Sequence, residues 1–228
     1  MARDRGQTVF PPSRPGEHPL NSEGVWCQIL ALTEPGRPAL FLDRDGVVVE
    51  EAGYLSCVKD ISIIPGAAEV IAAANKRRVP VVIVTNQAGI GRGYYGWAQF
   101  EAVQEAIAAA LATKGAEISA VYACAHHPEA HGLFAHADHP ARKPNPGMLL
   151  QAASDLGLDL KTSWLVGDKV IDVEAAKRAG IAGALQVATG YGAAERHLAT
   201  KLKTPTFEVR FGRSIADAGT LPILTNAA

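Results

Sequence analysis

From residue 38 onward, short apolar runs alternate with longer segments of helical periodicity. The runs predict buried strands, at 39–42, 79–85, 118–124, 164–166 and 184–187. The segments between them predict helices, over 66–78, 97–113, 145–157 and 170–179. The third helix would have Asn145 as its N-cap and Pro146 at its first position. Repeated strand–helix order predicts an α/β three-layer sandwich, with a mostly parallel sheet covered by helices on both faces.

The two ends of the chain depart from this alternation. Residues 1–37 are rich in Pro and Gly, which excludes a regular helix or a central strand and predicts an extended arm. An apolar patch inside the arm favours docking of that part, at Trp26, Cys27, Ile29 and Leu30. Near the other end we expect a helix over 193–202 and an edge strand over 207–211. We therefore predict an arm at 1–37 and one domain at 38–228.

Composition excludes several classes of protein. The 228 residues carry 22 Lys+Arg and 23 Asp+Glu, a formal net charge of −1, without the basic excess of nucleic-acid or anionic-membrane binders. The apolar runs are far shorter than the roughly 20 residues of a membrane span, and no secretory signal core is evident. Three scattered cysteines do not form a disulfide framework, so we expect a cytoplasmic protein.

Polar segments follow four of the predicted strands, at 43–45, 85–87, 124–127 and 167–169. Because ligands bind beyond the carboxyl ends of parallel strands, we expect these segments to meet at one edge of the sheet.

The first segment contains Asp43 and Asp45, which face the same side of an extended chain. Two such carboxylates suit Mg²⁺, and they also suit a division into nucleophile and acid/base. The alternative interpretation is a solvated turn.

Three further segments suit phosphate and metal. Thr85 and the backbone after it can bind phosphate oxygens, and Arg142 with Lys143 can grip a phosphate, although a glycine-rich turn and a solvated basic pair are the alternatives. Asp168 can complete the metal site, and Asp172 can support Lys169 or metal-bound water. Helix capping is the alternative for both acids.

The order of these motifs resembles the haloacid dehalogenase-like (HAD) superfamily of phosphotransferases. Within it, LFLDRDG, VTNQAGIGRGYY, HHPE, RKPNPGML and VGDKVIDVEAA resemble the branch of heptose 1,7-bisphosphate and histidinol phosphatases, over about residues 38–192. The resemblance implies a Rossmann-like domain without a large cap.

The resemblance also implies roles. Asp43 would attack phosphorus, Asp45 would serve as acid/base, and Thr85 and Lys143 would hold phosphoryl oxygens. Mg²⁺ would be bound by the Asp43 side chain, the Asp45 main-chain carbonyl and Asp168. The expected substrate-binding residues are Arg44, Glu51, Gly53, Tyr54, Asn86, Gln87, Arg142 and Lys169, with residues 51–54 in a flap over the substrate.

The resemblance therefore implies a monomeric, Mg²⁺-dependent phosphomonoester hydrolase that forms an aspartyl phosphate. The expected substrate is a sugar phosphate, D-glycero-D-manno-heptose 1,7-bisphosphate cleaved at C7. Histidinol phosphate or another small phosphomonoester is the alternative substrate. A non-catalytic phosphate-binding regulatory domain is the alternative of another class.

The chain departs from this branch in the loop that often carries a structural zinc. Cys124 and His126 preserve the first half of the zinc motif, whereas the second half falls on His139 and Ala141. Because a closed zinc site wants four ligands, we expect a loop that has lost zinc and is held by packing. The loop contains further histidines that could supply a fourth ligand, so zinc binding stays an alternative on the composition of the loop.

Overall fold

A seven-stranded sheet forms the middle layer of the protein. The computed structural model describes residues 25–225. The strands are β1 (Val25–Ile29), β2 (Leu40–Leu42), β3 (Val81–Asn86), β4 (Ala120–Cys124), β5 (Trp164–Gly167), β6 (Gly183–Val187) and β7 (Glu208–Gly212). They lie in the order β1-β4-β3-β2-β5-β6-β7, and every neighbouring pair is parallel except β1 with β4. The predicted α/β sandwich with a mostly parallel sheet is confirmed.

Helices cover both faces of this sheet. They are α1 (Ala67–Lys76), α2 (Ala88–Gly91), α3 (Trp97–Ala112), α4 (Gly147–Leu156), α5 (Val170–Ala179), α6 (Gly192–Ala199) and α7 (Pro222–Thr225). Helices α1, α3 and α7 pack on the face that carries Leu40 and Leu42. Helices α4, α5 and α6 pack on the opposite face, which carries Phe41. Alternate residues of β2 thus enter different cores, which explains why this strand is apolar at every position.

Strand β1 lies inside the segment predicted as an arm. It pairs with β4 in antiparallel register, from Val25 opposite Cys124 to Ile29 opposite Ala120. Trp26 is fully buried, and its ring stacks on Trp97 with centroids 5.5 Å apart. The apolar patch therefore docks as predicted, as an edge strand of the sheet rather than as an arm lying on it. Residues 1–24 lie outside the described residues.

Two local expectations need correction or addition. Helix α4 begins at Gly147 with Pro146 at the N-cap, so the prediction that Asn145 caps it is wrong. The Asn145 side chain instead donates to the Asp138 carboxylate and the His139 carbonyl, because the preceding loop folds back over it.

The short helix α2 was not predicted, since its sequence alternates glycine with apolar residues and glycine weakens helices.

Within residues 25–225, no helix combines the length and the apolar character needed to cross a membrane.

Candidate active site

A cavity of about 370 Å³ opens at the carboxyl ends of the central strands. Eleven of the residues predicted for the site line it: Asp43, Asp45, Glu51, Gly53, Tyr54, Thr85, Asn86, Gln87, Arg142, Lys143 and Lys169. Asp172, Tyr95, Ile171 and Tyr191 also contribute to the lining. Three of the four predicted segments, 43–45, 85–87 and 167–169, therefore contribute to the cavity, whereas residues 124–127 are not among its lining.

Four buried charged residues, Asp43, Lys143, Asp168 and Asp172, form a group that we name the floor. Three of them line the cavity, and Asp168 lies next to them, outside the lining. The Lys143 Nζ lies 2.9 Å from Asp43 Oδ1 and 2.6 Å from Asp172 Oδ1, and it donates to the Val84 carbonyl at 2.8 Å. Burial opposes the charge on Lys143, but the carboxylates of Asp172 and Asp43 outweigh it and raise the lysine pKa. Lys143 is thus a fixed cation beside Asp43.

Asp172 contacts both this lysine and Lys169, the neighbour for which the sequence predicted a contact. Its Oδ1 pairs with Lys143, and its Oδ2 accepts the backbone N–H of Lys169 at 2.9 Å in the first turn of α5. The prediction that Asp172 supports Lys169 is met at the backbone N–H of Lys169 rather than at its side chain. Sequence spacing placed the acid one helical turn from Lys169, but only the packing of α5 against the sheet brings it to Lys143.

Asp168 follows β5 and is completely buried. Its Oδ2 accepts the backbone N–H of Tyr191 at 2.9 Å, whereas its buried Oδ1 has no hydrogen-bond partner among the described residues. A Cβ at Gly190 would lie 2.2 Å from Asp168 Oδ2, and one at Gly46 would lie 2.6 Å from it. Both positions also have positive φ, so glycine is needed at each for the chain to enclose this carboxylate.

The floor fits a divalent cation. One oxygen from each of Asp43, Asp168 and Asp172 lies within 4.8 Å of the others. Burial, reinforced by neighbouring carboxylates, raises the pKa of Asp43 to about 6 and that of Asp168 to about 8. A hard cation would relieve this repulsion and would satisfy the orphaned Asp168 Oδ1. Since Asp172 is paired with Lys143, the acids whose side chains suit the cation best are Asp43 and Asp168.

Asp45 is held away from this group by a buried arginine. The Arg44 guanidinium contacts both Asp45 oxygens at 3.0–3.2 Å, and the Gln87 amide donates to Asp45 at 3.0 Å. Arg44 itself is 1% exposed, lies over the Phe100 ring and is not among the cavity-lining residues. The prediction that Arg44 binds substrate is therefore wrong, because its side chain turns into the core to hold Asp45.

The residues after β3 also organise one another. Gln87 donates to the Thr85 hydroxyl at 2.7 Å. Asn86 clamps the backbone of Lys143, donating to its carbonyl at 3.0 Å and accepting from its N–H at 3.1 Å. Asn86 thereby ties the end of β3 to the loop that delivers the lysine.

The rim of the cavity, as we name Glu51, Tyr54, Lys169 and Tyr191, is more exposed than the floor. The Lys169 Nζ lies 3.3 Å from Glu51 and 4.3 Å from the centroid of the Tyr191 ring. Tyr191 was missed because its segment was not treated as a strand end. It nevertheless follows β6 closely, so the same strand-end rule would have found it.

The histidine-rich loop brings two of its three candidate ligands together. The buried rings of His126 and His139 stack in parallel with centroids 3.6 Å apart, and His139 Nδ1 accepts the Ala141 N–H at 3.1 Å. Among residues 25–225, the floor acids are the only three His, Cys, Asp or Glu residues whose ligand atoms lie close enough to share one ion. Cys124, His126 and His139 are not such a group, and the loss of zinc stays a prediction.

Known proteins share both the sequence and the architecture. A family model for HAD-hydrolase-like proteins matches residues 140–210. The D-glycero-beta-D-manno-heptose-1,7-bisphosphate 7-phosphatase of Mesorhizobium japonicum is 47% identical over 167 residues, which cover 72% of this chain and 77% of the relative. The D-glycero-alpha-D-manno-heptose-1,7-bisphosphate 7-phosphatase of Burkholderia mallei is 43% identical over 65% of this chain and 79% of its own length.

Two crystal structures resemble the fold closely. A putative HAD-like phosphatase from Mesorhizobium loti superposes with a TM-score of 0.80 at 40% identity, covering 91% of this chain and 95% of its own. The D,D-heptose 1,7-bisphosphate phosphatase of B. bronchiseptica, complexed with magnesium and phosphate, superposes with a TM-score of 0.68 at 30% identity. That match covers 79% of this chain and 95% of the other.

Proposed function

The chain belongs to the HAD-like family of heptose-1,7-bisphosphate 7-phosphatases, and from this premise we propose that it removes the C7 phosphate of D-glycero-D-manno-heptose 1,7-bisphosphate. It is a phosphoric monoester hydrolase with Mg²⁺ as cofactor. The observation that carries the proposal is the floor, where Asp43 sits 2.9 Å from a fixed lysine and beside an orphaned Asp168 oxygen.

In the first half-reaction, Asp43 forms the covalent bond to phosphorus. Lys143 and the Arg44 backbone N–H both contact Asp43 Oδ1, so we assign the attack to Oδ2. The O–P bond forms as the bond from phosphorus to the sugar oxygen breaks. Asp45 gives its proton to that leaving oxygen. The products are an aspartyl phosphate and the free sugar hydroxyl.

In the second half-reaction, Asp45 takes a proton from water, which attacks the aspartyl phosphate and releases inorganic phosphate and Asp43. Thr85 and Lys143 hold the phosphoryl oxygens in both steps. Asp43, Asp168 and the main-chain carbonyl of Asp45 would hold Mg²⁺, which supplies charge neutralisation for those oxygens. Arg44 and Gln87 hold the Asp45 carboxylate in the lining of the cavity, where we assign it both proton transfers.

The substrate assignment draws on the relatives and on the open cavity. The named relatives act on heptose bisphosphates. Among residues 25–225, no cap domain covers the cavity and restricts a substrate to a small body. The residues proposed to contact the sugar are Glu51, Gly53, Tyr54, Asn86, Gln87, Arg142 and Lys169. The formal net charge of −1 gives no basic excess for nucleic acid or an anionic membrane, and we propose that the protein acts as a monomer in the cytoplasm without such partners.

A phosphate-release assay tests the assignment. Both anomers of the heptose 1,7-bisphosphate are compared with histidinol phosphate and common sugar monophosphates, with Mg²⁺ present. We expect release of one phosphate per heptose bisphosphate, at C7, with the highest kcat/KM of the panel. A preference for histidinol phosphate would change the assigned substrate to that compound. Binding of a phosphate ester without release of phosphate would indicate a regulatory domain.

A further inference from the structure

Arg92 joins three loops at the mouth of the cavity. It follows α2 directly, and its Nη1 donates to the Tyr54 hydroxyl at 3.0 Å. Its Nη2 pairs with the Glu129 carboxylate and lies 3.3 Å from His127 Nε2. Glu129 and His127 belong to the loop after β4, and Tyr54 belongs to the flap. One guanidinium therefore connects the flap to the loop that follows β4.

Helix α2, from which Arg92 extends, packs closely against the loop after β4. A Cβ at Gly91 would lie 2.2 Å from the Ala125 carbonyl oxygen, so the backbone of α2 lies directly on the loop after β4. The His131 N–H donates to the Gly91 carbonyl at 2.9 Å across the same contact. The loop and α2 are thus in direct contact, and Arg92 extends from α2 and pairs with Glu129 of the loop.

Tyr54 is the part of the cavity lining that this anchor reaches. Its ring meets the Tyr94 ring edge-on, with centroids 4.7 Å apart, and it lies against the backbone of α2 at Gly89. The ring is 43% exposed, so packing on its faces restrains it only in part. The hydrogen bond from Arg92 restrains the hydroxyl end of the Tyr54 side chain.

The flap is tied on its other side as well. Glu51 accepts the Gly53 N–H at 2.7 Å and pairs with Lys169 at the start of α5. The flap therefore bridges the cavity between Lys169 and Arg92. Arg92 is not among the described residues that line the cavity, whereas its partner Tyr54 is.

We propose that Arg92 is a positioning residue that determines substrate specificity by holding Tyr54 as a fixed wall against the body of the sugar. The proposal rests on the proposed function, because it requires a substrate large enough to reach this wall. A substrate that is little more than a phosphoryl group contacts the floor and leaves the wall untouched. Loss of Arg92 should therefore raise KM for the sugar far more than it changes hydrolysis of a small phosphate compound.

A double-mutant cycle between Arg92→Gln and Tyr54→Phe tests this coupling. Tyr54→Phe keeps the ring and removes the hydroxyl that Arg92 holds. We expect each single variant to raise KM for the heptose bisphosphate about five- to tenfold, which is within the range for the loss of a typical intramolecular hydrogen bond. We expect the double variant to show the same increase in KM as either single variant, because each substitution removes the same hydrogen bond between Arg92 and Tyr54. The parameters for acetyl phosphate should change much less.

Controls separate this effect from misfolding and from failure of the proposed function. Arg37→Gln removes a partly exposed arginine that pairs with Glu34 and is not among the cavity-lining residues, and it should leave KM unchanged. Glu129→Gln weakens the ion pair that holds Arg92 on the side away from Tyr54, and it should give a smaller increase in KM. This variant keeps the test available if Arg92→Gln does not fold. Hydrogen exchange of residues 51–58 should accelerate in Arg92→Gln and in Tyr54→Phe.

Additive effects in the double variant would overturn the proposal, because Arg92 would then contact substrate directly. Equal losses with acetyl phosphate and with the sugar would also overturn it, in favour of a general structural role. Wild-type enzyme that does not hydrolyse the heptose bisphosphate would contradict the proposed function alone. In that case the exchange of the flap in the same variants still decides whether Arg92 holds Tyr54.

Discussion

The floor and the rim of the cavity are both built around charged side chains, but they differ in burial and in how many contacts hold each charge. On the floor, Lys143 is 3% exposed and is held by Asp43, Asp172 and the Val84 carbonyl. On the rim, the ammonium of Lys169 meets Glu51 at a longer distance of 3.3 Å and lies over the Tyr191 ring.

This difference has an energetic consequence. Removing one member of a buried ion pair leaves an uncompensated charge and costs about 3–5 kcal/mol. An exposed pair contributes about 0–1 kcal/mol, and a half-buried pair lies between these limits. The floor therefore cannot change without loss of the chemistry or of the fold, whereas the rim can vary and so can set which sugar is accepted.

The largest expected effect comes from the nucleophile on the floor. Asp43→Asn should lower turnover by about 10⁴-fold or more, because an amide is a poor nucleophile and a poor metal ligand. Phosphate release measures the loss, and intact mass should show no phosphorylated protein. Asp60→Asn, at an exposed aspartate outside the cavity lining, serves as the matched control. Retained turnover in Asp43→Asn would mean that water attacks phosphorus directly.

Asp45→Asn should lower turnover by about 10²–10⁴-fold, because the amide cannot transfer a proton in either half-reaction. With a nitrophenyl phosphate, whose leaving group needs little protonation, the aspartyl phosphate should form and then hydrolyse slowly. Rapid-quench labelling or intact mass should detect phosphate trapped on Asp43. A variant that never accumulates phosphoenzyme would contradict the role of Asp45 in the second step.

The matched pair Lys143→Gln and Lys169→Gln compares the two regions directly. Lys143→Gln should lower the free energy of unfolding by about 3–5 kcal/mol, since it leaves Asp43 and Asp172 uncompensated. Lys169→Gln should lower it by about 1 kcal/mol or less, because solvent screens the pair with Glu51. Urea unfolding in excess chelator measures both variants. Equal losses would show that the rim is as tightly coupled to the fold as the floor.

The stability of the metal-free protein should depend on pH through the floor acids. The folded-state pKa of Asp43, about 6, and that of Asp168, about 8, both lie above the ordinary aspartate value of 3.8. The folded protein therefore holds protons that the unfolded chain has released, and its stability falls as pH rises from about 4 to 8.

Mg²⁺ should reverse this loss, because it binds the deprotonated acids. The increase in Tm on adding Mg²⁺ should thus be small at pH 5 and should grow toward pH 8. Thermal unfolding with chelator or with Mg²⁺ across this range measures the effect. An increase of the same size at both ends of the range would contradict the assignment of the cation to Asp43 and Asp168.

The smallest expected effect is in the histidine-rich loop. Because Ala141 replaces a ligand, the purified protein should contain clearly less than one zinc per chain, and a chelator should not change the Tm at pH 5, where little Mg²⁺ is bound. Elemental analysis measures the zinc content. One tightly held zinc per chain would show that His136 or a neighbouring residue completes the site.

Much of the fold was predictable from local pattern. The apolar runs and Gly/Pro boundaries predicted six of the seven strands, counting the edge strand at 207–211, and the main helices to within a few residues. The exception, β1, lies in a Pro/Gly-rich segment, and only its antiparallel pairing with β4 and the packing of Trp26 make it a strand. Local sequence cannot report such a pairing, because the two strands are about 90 residues apart.

The sequence by itself determined which chemical groups stand at the carboxyl edge of the sheet. A parallel sheet brings its strand ends to one place, so Asp43, Thr85 and Asp168 had to meet there once the strands were recognised. Only the tertiary structure decided which side chain pairs with which partner. Arg44 turned into the core toward Asp45, Asp172 reached Lys143, and Arg92 reached Tyr54 across the mouth of the cavity. The physical reason is that position along a strand or helix limits where a side chain begins, whereas its partner is chosen by packing and by the cost of burying a charge without one.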